Sequence, residues 1–180
     1  MEVLYTIVFA LLGLAIGSFL NVCIDRLPGG GSILHPPSQC ESCHHHLVAA
    51  DLIPLFSYLW LRGRCRYCQA PIPRRLLWVE LASGIILAFL YQYYGLSPQL
   101  AVMAFYAYLF LIIFVVDLEW GLILNKVVYP GMMVALLIAA FLPPPWLEDW
   151  LFSGVTNAVL GGGIGLAIFW LIALISGGGM

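Results

Sequence analysis

The chain has 180 residues, 63% of them hydrophobic and 9% charged, with a formal net charge of −2. A soluble domain of this length cannot hide so much apolar surface, because ordinary globular sequences are nearer half apolar and about a quarter charged. The net charge says nothing about nucleic acid and no basic tail is present, so no nucleic-acid partner is expected and membrane lipid is the expected surroundings.

The first apolar run, Val3 to Val22, reads as an uncleaved anchor. It lacks a positive n-region, and its flank Cys23-Ile24-Asp25-Arg26 is not a small-residue cleavage site. After a polar segment come four more apolar runs: Leu77 to Tyr94, Leu100 to Val116, Leu122 to Leu142 and Gly154 to Ile175. A bilayer core takes roughly 17–25 residues of helix, with every backbone polar group satisfied internally, so each run is expected to span. The fourth is the weakest, because Asn125, Lys126, Pro130 and Gly131 stand near its start. Pro143-Pro144-Pro145-Trp146 is expected to make a stiff outer turn, and Gly161, Gly162, Gly163 and Gly165 to mark tight helix packing. No internal repeat is evident.

All 7 basic residues fall on one side of this arrangement: Arg26, Arg62, Arg64, Arg66, Arg74 and Arg75 between the first two runs, and Lys126 between the third and fourth. The opposite loops carry none, but do hold Glu148 and Asp149. The excess of positive charge on cytoplasmic loops then puts the N-terminus outside and the polar segment inside.

Within that segment lie Cys40-x-x-Cys43 and Cys65-x-x-Cys68, with 21 residues between the pairs. Two such knuckles offer four thiolates at tetrahedral spacing, the pattern of a structural Zn²⁺ site. Paired disulfides would need an oxidising compartment, which the charge bias argues against. A sphere closed by Cys40, Cys43, Cys65 and Cys68 holds a loop together and leaves no position for a reactive water. His44, His45 and His46 are read as solvated or supporting groups, and Cys23 as a packing residue. The arginines around Cys65 either anchor the chain to anionic headgroups or offset the charge of the metal–thiolate cluster. The expected fold is thus an all-α polytopic membrane protein with about five transmembrane helices and a cytoplasmic zinc-binding loop. Its parts are a first helix (1–23), the loop (24–76) and a membrane helical region (77–180).

Acids at the ends of spans are functional candidates, because an ionisable group there is costly. Asp117 closes the run Phe114-Val115-Val116, Glu119 follows, and Glu80 lies near the start of the second span. Interfacial decoration is the competing reading, with Glu80 paired to an arginine. Asp25 and Asp51 have no motif context, and Asp149 falls on the opposite side.

These residues, taken in order, resemble the bacterial prepilin peptidases, or type IV leader peptidases. The match runs through Gly17-Ser18-Phe19-Leu20-Asn21-Val22, Arg26-Leu27-Pro28, both knuckles, Leu52-Ile53-Pro54-Leu55-Phe56-Ser57-Tyr58, Arg62-Gly63-Arg64-Cys65, Pro71-Ile72-Pro73-Arg74, Val79-Glu80 and Asp117-Leu118-Glu119. The resemblance implies an intramembrane aspartic endopeptidase of the bacterial inner membrane. Its substrates would be the precursors of type IV pilins and type II secretion pseudopilins, cut at the cytoplasmic face. It also implies N-methylation of the new terminus with S-adenosylmethionine, for which Glu80 is the candidate cofactor-side residue. Asp117 stands at the family's first catalytic aspartate and Asn125 at the Asn/Asp that follows, although Leu124 replaces the usual proline. The family's second aspartate ends a Gly-x-Gly-Asp motif, and this sequence stops at Ser176-Gly177-Gly178-Gly179-Met180 where that motif would begin. The expectation is a truncated peptidase, inactive alone because two carboxylates must share one proton. The alternatives are a methyltransferase-only fragment and a non-catalytic zinc-binding membrane module.

Overall fold

The computed structural model describes residues 2–35, 37–122, 124–141, 156 and 159–167. Helix α1 spans Glu2–Arg26, a 3₁₀ turn covers Ala49–Asp51, and a short helix α2 covers Phe56–Trp60. Three more helices follow: α3 at Arg74–Tyr94, α4 at Pro98–Trp120 and α5 at Asn125–Phe141. No strand occurs among the described residues, only two isolated bridges, so the chain is all-α.

Helices α1, α3 and α4 are long and apolar enough to cross a bilayer, whereas α5 has 17 residues and is shorter. The fifth expected span lies largely outside the described residues, although 159–167 are helical. The Pro143–Trp146 turn and the acids Glu148 and Asp149 also lie outside them. The chain divides into two units, Met1–Val127 and Val128–Met180, and the packing below belongs to the first.

Helix α4 exceeds its apolar run because its ends are set by capping chemistry, not hydropathy. Ser97 accepts a bond from the Leu100 amide (3.4 Å) and Pro98 sits in the first turn, which starts α4 two residues before Leu100. Gly121 ends it in the left-handed conformation (φ 59°), its amide reaching the Asp117 carbonyl at 2.8 Å. Asp117 and Glu119 therefore lie within the last turn of α4, not beyond it.

Helices α1 and α3 pack antiparallel with one contact per turn. Phe9 stacks on Tyr91 with ring centroids 4.5 Å apart, Gly13 meets Ser83 and Gly84, Gly17 meets Val79 and Glu80, and the Asn21 amide donates to the Leu76 carbonyl at 3.0 Å. Lipid supplies no hydrophobic drive between helices, so close backbone approach through small residues must supply the contact. Ser83 adds a buried hydrogen bond to the Gly13 carbonyl (2.6 Å), and Tyr108 of α4 donates to the Ser83 carbonyl at 3.2 Å. Leu20, Ile24, Val79, Val115 and Val116 fill the core where α1, α3 and α4 meet.

Close packing through glycine is found at Gly13, Gly17 and Gly84, while most of the chain around Gly161, Gly162, Gly163 and Gly165 lies outside the described residues. No described neighbour comes within 4 Å of a Cβ added at any of the four later glycines. At Gly17 an added Cβ would lie 2.7 Å from the Glu80 Cα, a backbone atom that cannot rotate away. Gly17→Ala is expected to cost about 1–3 kcal/mol, as overpacking does elsewhere. Thermal unfolding in detergent reads this, and an unchanged midpoint would refute the register described.

Candidate functional site

The loop between α1 and α3 gathers the four thiols. The Sγ atoms of Cys40, Cys43, Cys65 and Cys68 all lie within 4.8 Å of one another, and Cys40 and Cys68 are 3.7 Å apart. Tetrahedral Zn²⁺ with Zn–S bonds of about 2.3 Å requires sulfurs roughly 3.8 Å apart, so the donor set fits this metal. Cys23 is buried in α1, apart from the cluster, and none of the three histidines belongs to it.

The two knuckles share one backbone design, a repeat that composition does not reveal. The Cys40 amide donates to the His45 carbonyl (3.0 Å), the His44 amide to Cys40 (2.9 Å) and the Leu47 amide to Ser38 (2.8 Å). In the second knuckle the Cys65 amide donates to Ala70 (2.8 Å), Gln69 to Cys65 (3.1 Å) and Ile72 to Gly63 (2.8 Å), each at the equivalent position. His44 and Gln69, the residues after each second cysteine, both take positive φ (55° and 60°). Two copies of one turn thus face each other across the thiols.

The electrostatics suit a metal site. The backbone amides of Cys43 and Ser42 pull the Cys40 thiol down to about 7, so it ionises near neutrality. The Ala70 amide also pulls on Cys68, but burial and the thiols of Cys43, Cys65 and Cys40 outweigh it and push Cys68 up to about 12. A bound cation would let Cys68 become a thiolate beside Cys40.

Asp51, without motif context in the sequence, proves central to the loop. Its side chain is only 4% exposed; Arg66 Nε meets its Oδ1 at 2.6 Å, and Tyr67 and the Val48 amide donate to its Oδ2 at 3.2 and 3.3 Å. It ties the 3₁₀ turn to the second knuckle. Arg66 is thereby spent on an ion pair, while His45 lies against the Tyr67 ring, centroids 3.7 Å apart. The role of Asp51 exists only in the folded chain, because its partners are 15 and 16 residues away in sequence.

Glu80 faces the same loop from α3 and is buried, 8% exposed. Its Oε2 accepts the Leu55 amide at 2.8 Å, and the Ser18 hydroxyl also reaches this carboxylate. Leu55 sits at φ 58°, ψ −48°, in a γ-turn closed by the Phe56 amide and the Pro54 carbonyl (2.6 Å). That conformation is rare and strained for a leucine, and it persists only where surrounding bonds hold it. Glu80 supplies one such bond; it is not paired with arginine.

Arginine pairing occurs one turn earlier in α3. Arg75 bridges Asp25 of α1 and Glu119 of α4, the latter at 3.0 Å from its Nε. Three helix ends are thus clamped beside the loop, and Asp117 lies two residues from the clamp. Asp117 itself is exposed, and no described residue bonds its carboxylate. Among the described acids near it, Asp25 and Glu119 serve Arg75, Asp51 serves Arg66, and Glu80 serves Leu55. Two buried atoms at this end, Asn21 Oδ1 and Arg75 Nη1, have no partner. Asn125 starts α5 and is exposed.

The sequence model of the Bacterial Peptidase A24 N-terminal domain matches residues 11–94, the stretch holding the second part of α1, the loop and α3. A prepilin leader peptidase/N-methyltransferase of Pseudomonas putida is 31% identical over 218 aligned positions, covering 99% of this chain and 75% of that protein. One from Klebsiella pneumoniae is 32% identical, covering 92% of this chain and 73% of its own length. Another from Stutzerimonas stutzeri is 30% identical over 92% of this chain, which spans 64% of that relative's length. No solved structure matches the chain.

Proposed function

Because this chain belongs to the prepilin leader peptidase/N-methyltransferase family, we propose that it is the membrane component that cleaves the leaders of type IV prepilins and type II secretion pseudopilins and methylates the new N-terminus. The observation that carries this reading is Asp117: an exposed, uncommitted carboxylate on the last turn of a spanning helix, at the same end of the bundle as the thiol loop. The protein would lie in the inner membrane with its N-terminus outside and the loop in the cytoplasm, as the one-sided basic residues suggest. The first helix (1–23) then anchors, the loop (24–76) is held by Zn²⁺, and the helices of 77–180 carry the peptidase chemistry.

Aspartic proteolysis divides two tasks between two carboxyls. One, ionised, takes a proton from the attacking water; the other, protonated, gives one to the carbonyl oxygen. Asp117 supplies one of them. The second is sought outside the described residues, since every other described acid close to the clamp is engaged. Asn125, at the start of α5, stands where the family resemblance has an Asn or Asp after the first aspartate. Zn²⁺ on Cys40, Cys43, Cys65 and Cys68 supplies rigidity and no chemistry.

For methyl transfer, Glu80 is proposed to shape the site by holding the Leu55 turn, and no described residue assigns the S-adenosylmethionine contacts. A prepilin substrate supports this reading physically: its apolar helix lies in the bilayer, so its scissile bond arrives at the height of Asp117. The test is to incubate a prepilin with membranes that contain the protein and to determine the product's mass. Loss of the basic leader, with or without an added methyl group, supports the proposal. The 180 residues alone are expected to leave the precursor uncut for want of the second carboxyl. An unaltered precursor from a version extended to carry a second aspartate at the same membrane face, under conditions where a family relative cleaves it, would overturn the proposal.

A further inference from the structure

Helix α2 is too short to need a large apolar face, yet it has one. Phe56, Leu59 and Trp60 are 63%, 66% and 86% exposed, and their spacing puts them on a single side. Leu52 and Ile53, just before it, are also about half exposed. Tyr58, on the other side, packs against Gly63, where an added Cβ would lie 2.9 Å from its hydroxyl. The exposed face is therefore fixed in direction by the fold and is not a loose end.

The height of this face along the bundle is fixed too. Glu80 binds the amide of Leu55, the residue that caps the start of α2, and Glu80 stands six residues into the spanning helix α3. At about 1.5 Å per residue, α2 begins roughly 9 Å along that helix from Arg74. Interfacial helices bury their apolar faces about 5–10 Å into the boundary between headgroups and acyl chains. Arg62 and Arg64 follow immediately, both exposed and neither in an ion pair among the described residues. Tryptophan beside arginine is the combination that suits this depth, the ring in the interface and the cation at anionic headgroups.

We infer that α2 is an interfacial anchor: Phe56, Leu59 and Trp60 enter the bilayer surface, and Arg62 and Arg64 meet anionic lipid headgroups. The anchor presses the thiol-bearing loop against the membrane and explains the strained Leu55 turn, which bends the chain from the loop onto the lipid surface.

The test uses the full chain in liposomes of phosphatidylethanolamine with phosphatidylglycerol. The emission of Trp60 is isolated by subtracting the spectrum of Trp60→Phe. The expected result is blue-shifted emission, quenched several-fold more by lipids brominated on the upper acyl chain than by aqueous iodide. Arg62→Gln with Arg64→Gln is expected to remove the dependence of that quenching on the phosphatidylglycerol fraction. Quenching by iodide as strong as for free tryptophan, with no effect of brominated lipid, would overturn the inference. So would protection from iodide that arises only when a prepilin helix peptide is added, since that outcome assigns the face to substrate.

Discussion

Asp117→Asn, made in a version extended to carry the second aspartate, is expected to lower prepilin cleavage by about 10⁴-fold, the upper end of what a positioned acid–base group contributes. The substitution keeps size and shape while removing both the charge and the exchangeable proton, so neither half of the two-carboxyl division can proceed. Asp117 is exposed and bonded to no described residue, which means its replacement leaves no buried partner unsatisfied. Zinc content and the unfolding midpoint should therefore match the parent protein. Cleavage within about tenfold of the parent would remove Asp117 from the chemistry. A fall in zinc content or midpoint would mean that the residue supports the fold and not the reaction.

Removing the metal should act on the loop with comparable force but in a different place. Structural Zn²⁺ in small four-ligand sites is worth on the order of 10–16 kcal/mol at neutral pH, more than the loop's few hydrogen bonds can replace. Strong chelation, or Cys43→Ser with Cys68→Ser, should open residues 38–72 to proteolysis at Arg62, Arg64 and Arg66. The contacts of α1 with α3 rest on glycine backbones and should survive, so helicity should change little. Acid should do the same thing gradually. The Cys40 thiol, lowered to about 7 by the Cys43 and Ser42 amides, is a thiolate above that pH and takes up a proton below it. Because bound Zn²⁺ itself favours the thiolate, zinc should be retained at neutrality and fall only as the pH drops well below about 7, where protons compete with the metal for the thiols. Zinc measured after dialysis across that range checks the sign, and retention that rose on acidification would refute the thiolate site.

The motif residues divide instructively between those two predictions. Gly17-Ser18-Phe19-Leu20-Asn21 reads in sequence as a family mark near the membrane surface, yet its work is packing. Gly17 admits the backbone of Glu80, Ser18 reaches the Glu80 carboxylate, Leu20 fills the core and Asn21 holds the Leu76 carbonyl. Much of what looks like a site motif here is the seam between two helices.

The sequence by itself determined the class of solvent, the helical fold and the thiol set. Long apolar runs and CxxC spacing are local, and physics reads them without knowing any distant partner. It also brought Asp117 forward, because a charge at the end of an apolar run is costly wherever the chain goes. Only the tertiary structure decided what Asp51, Glu80 and Arg75 do. Each is an ordinary polar residue whose meaning lies in a neighbour far along the chain: Arg66 for Asp51, Leu55 for Glu80, Asp25 and Glu119 for Arg75. The matching turns of the two knuckles were hidden for a related reason. Their equivalence is carried by backbone hydrogen bonds and positive φ angles, which leave little trace in side-chain identity.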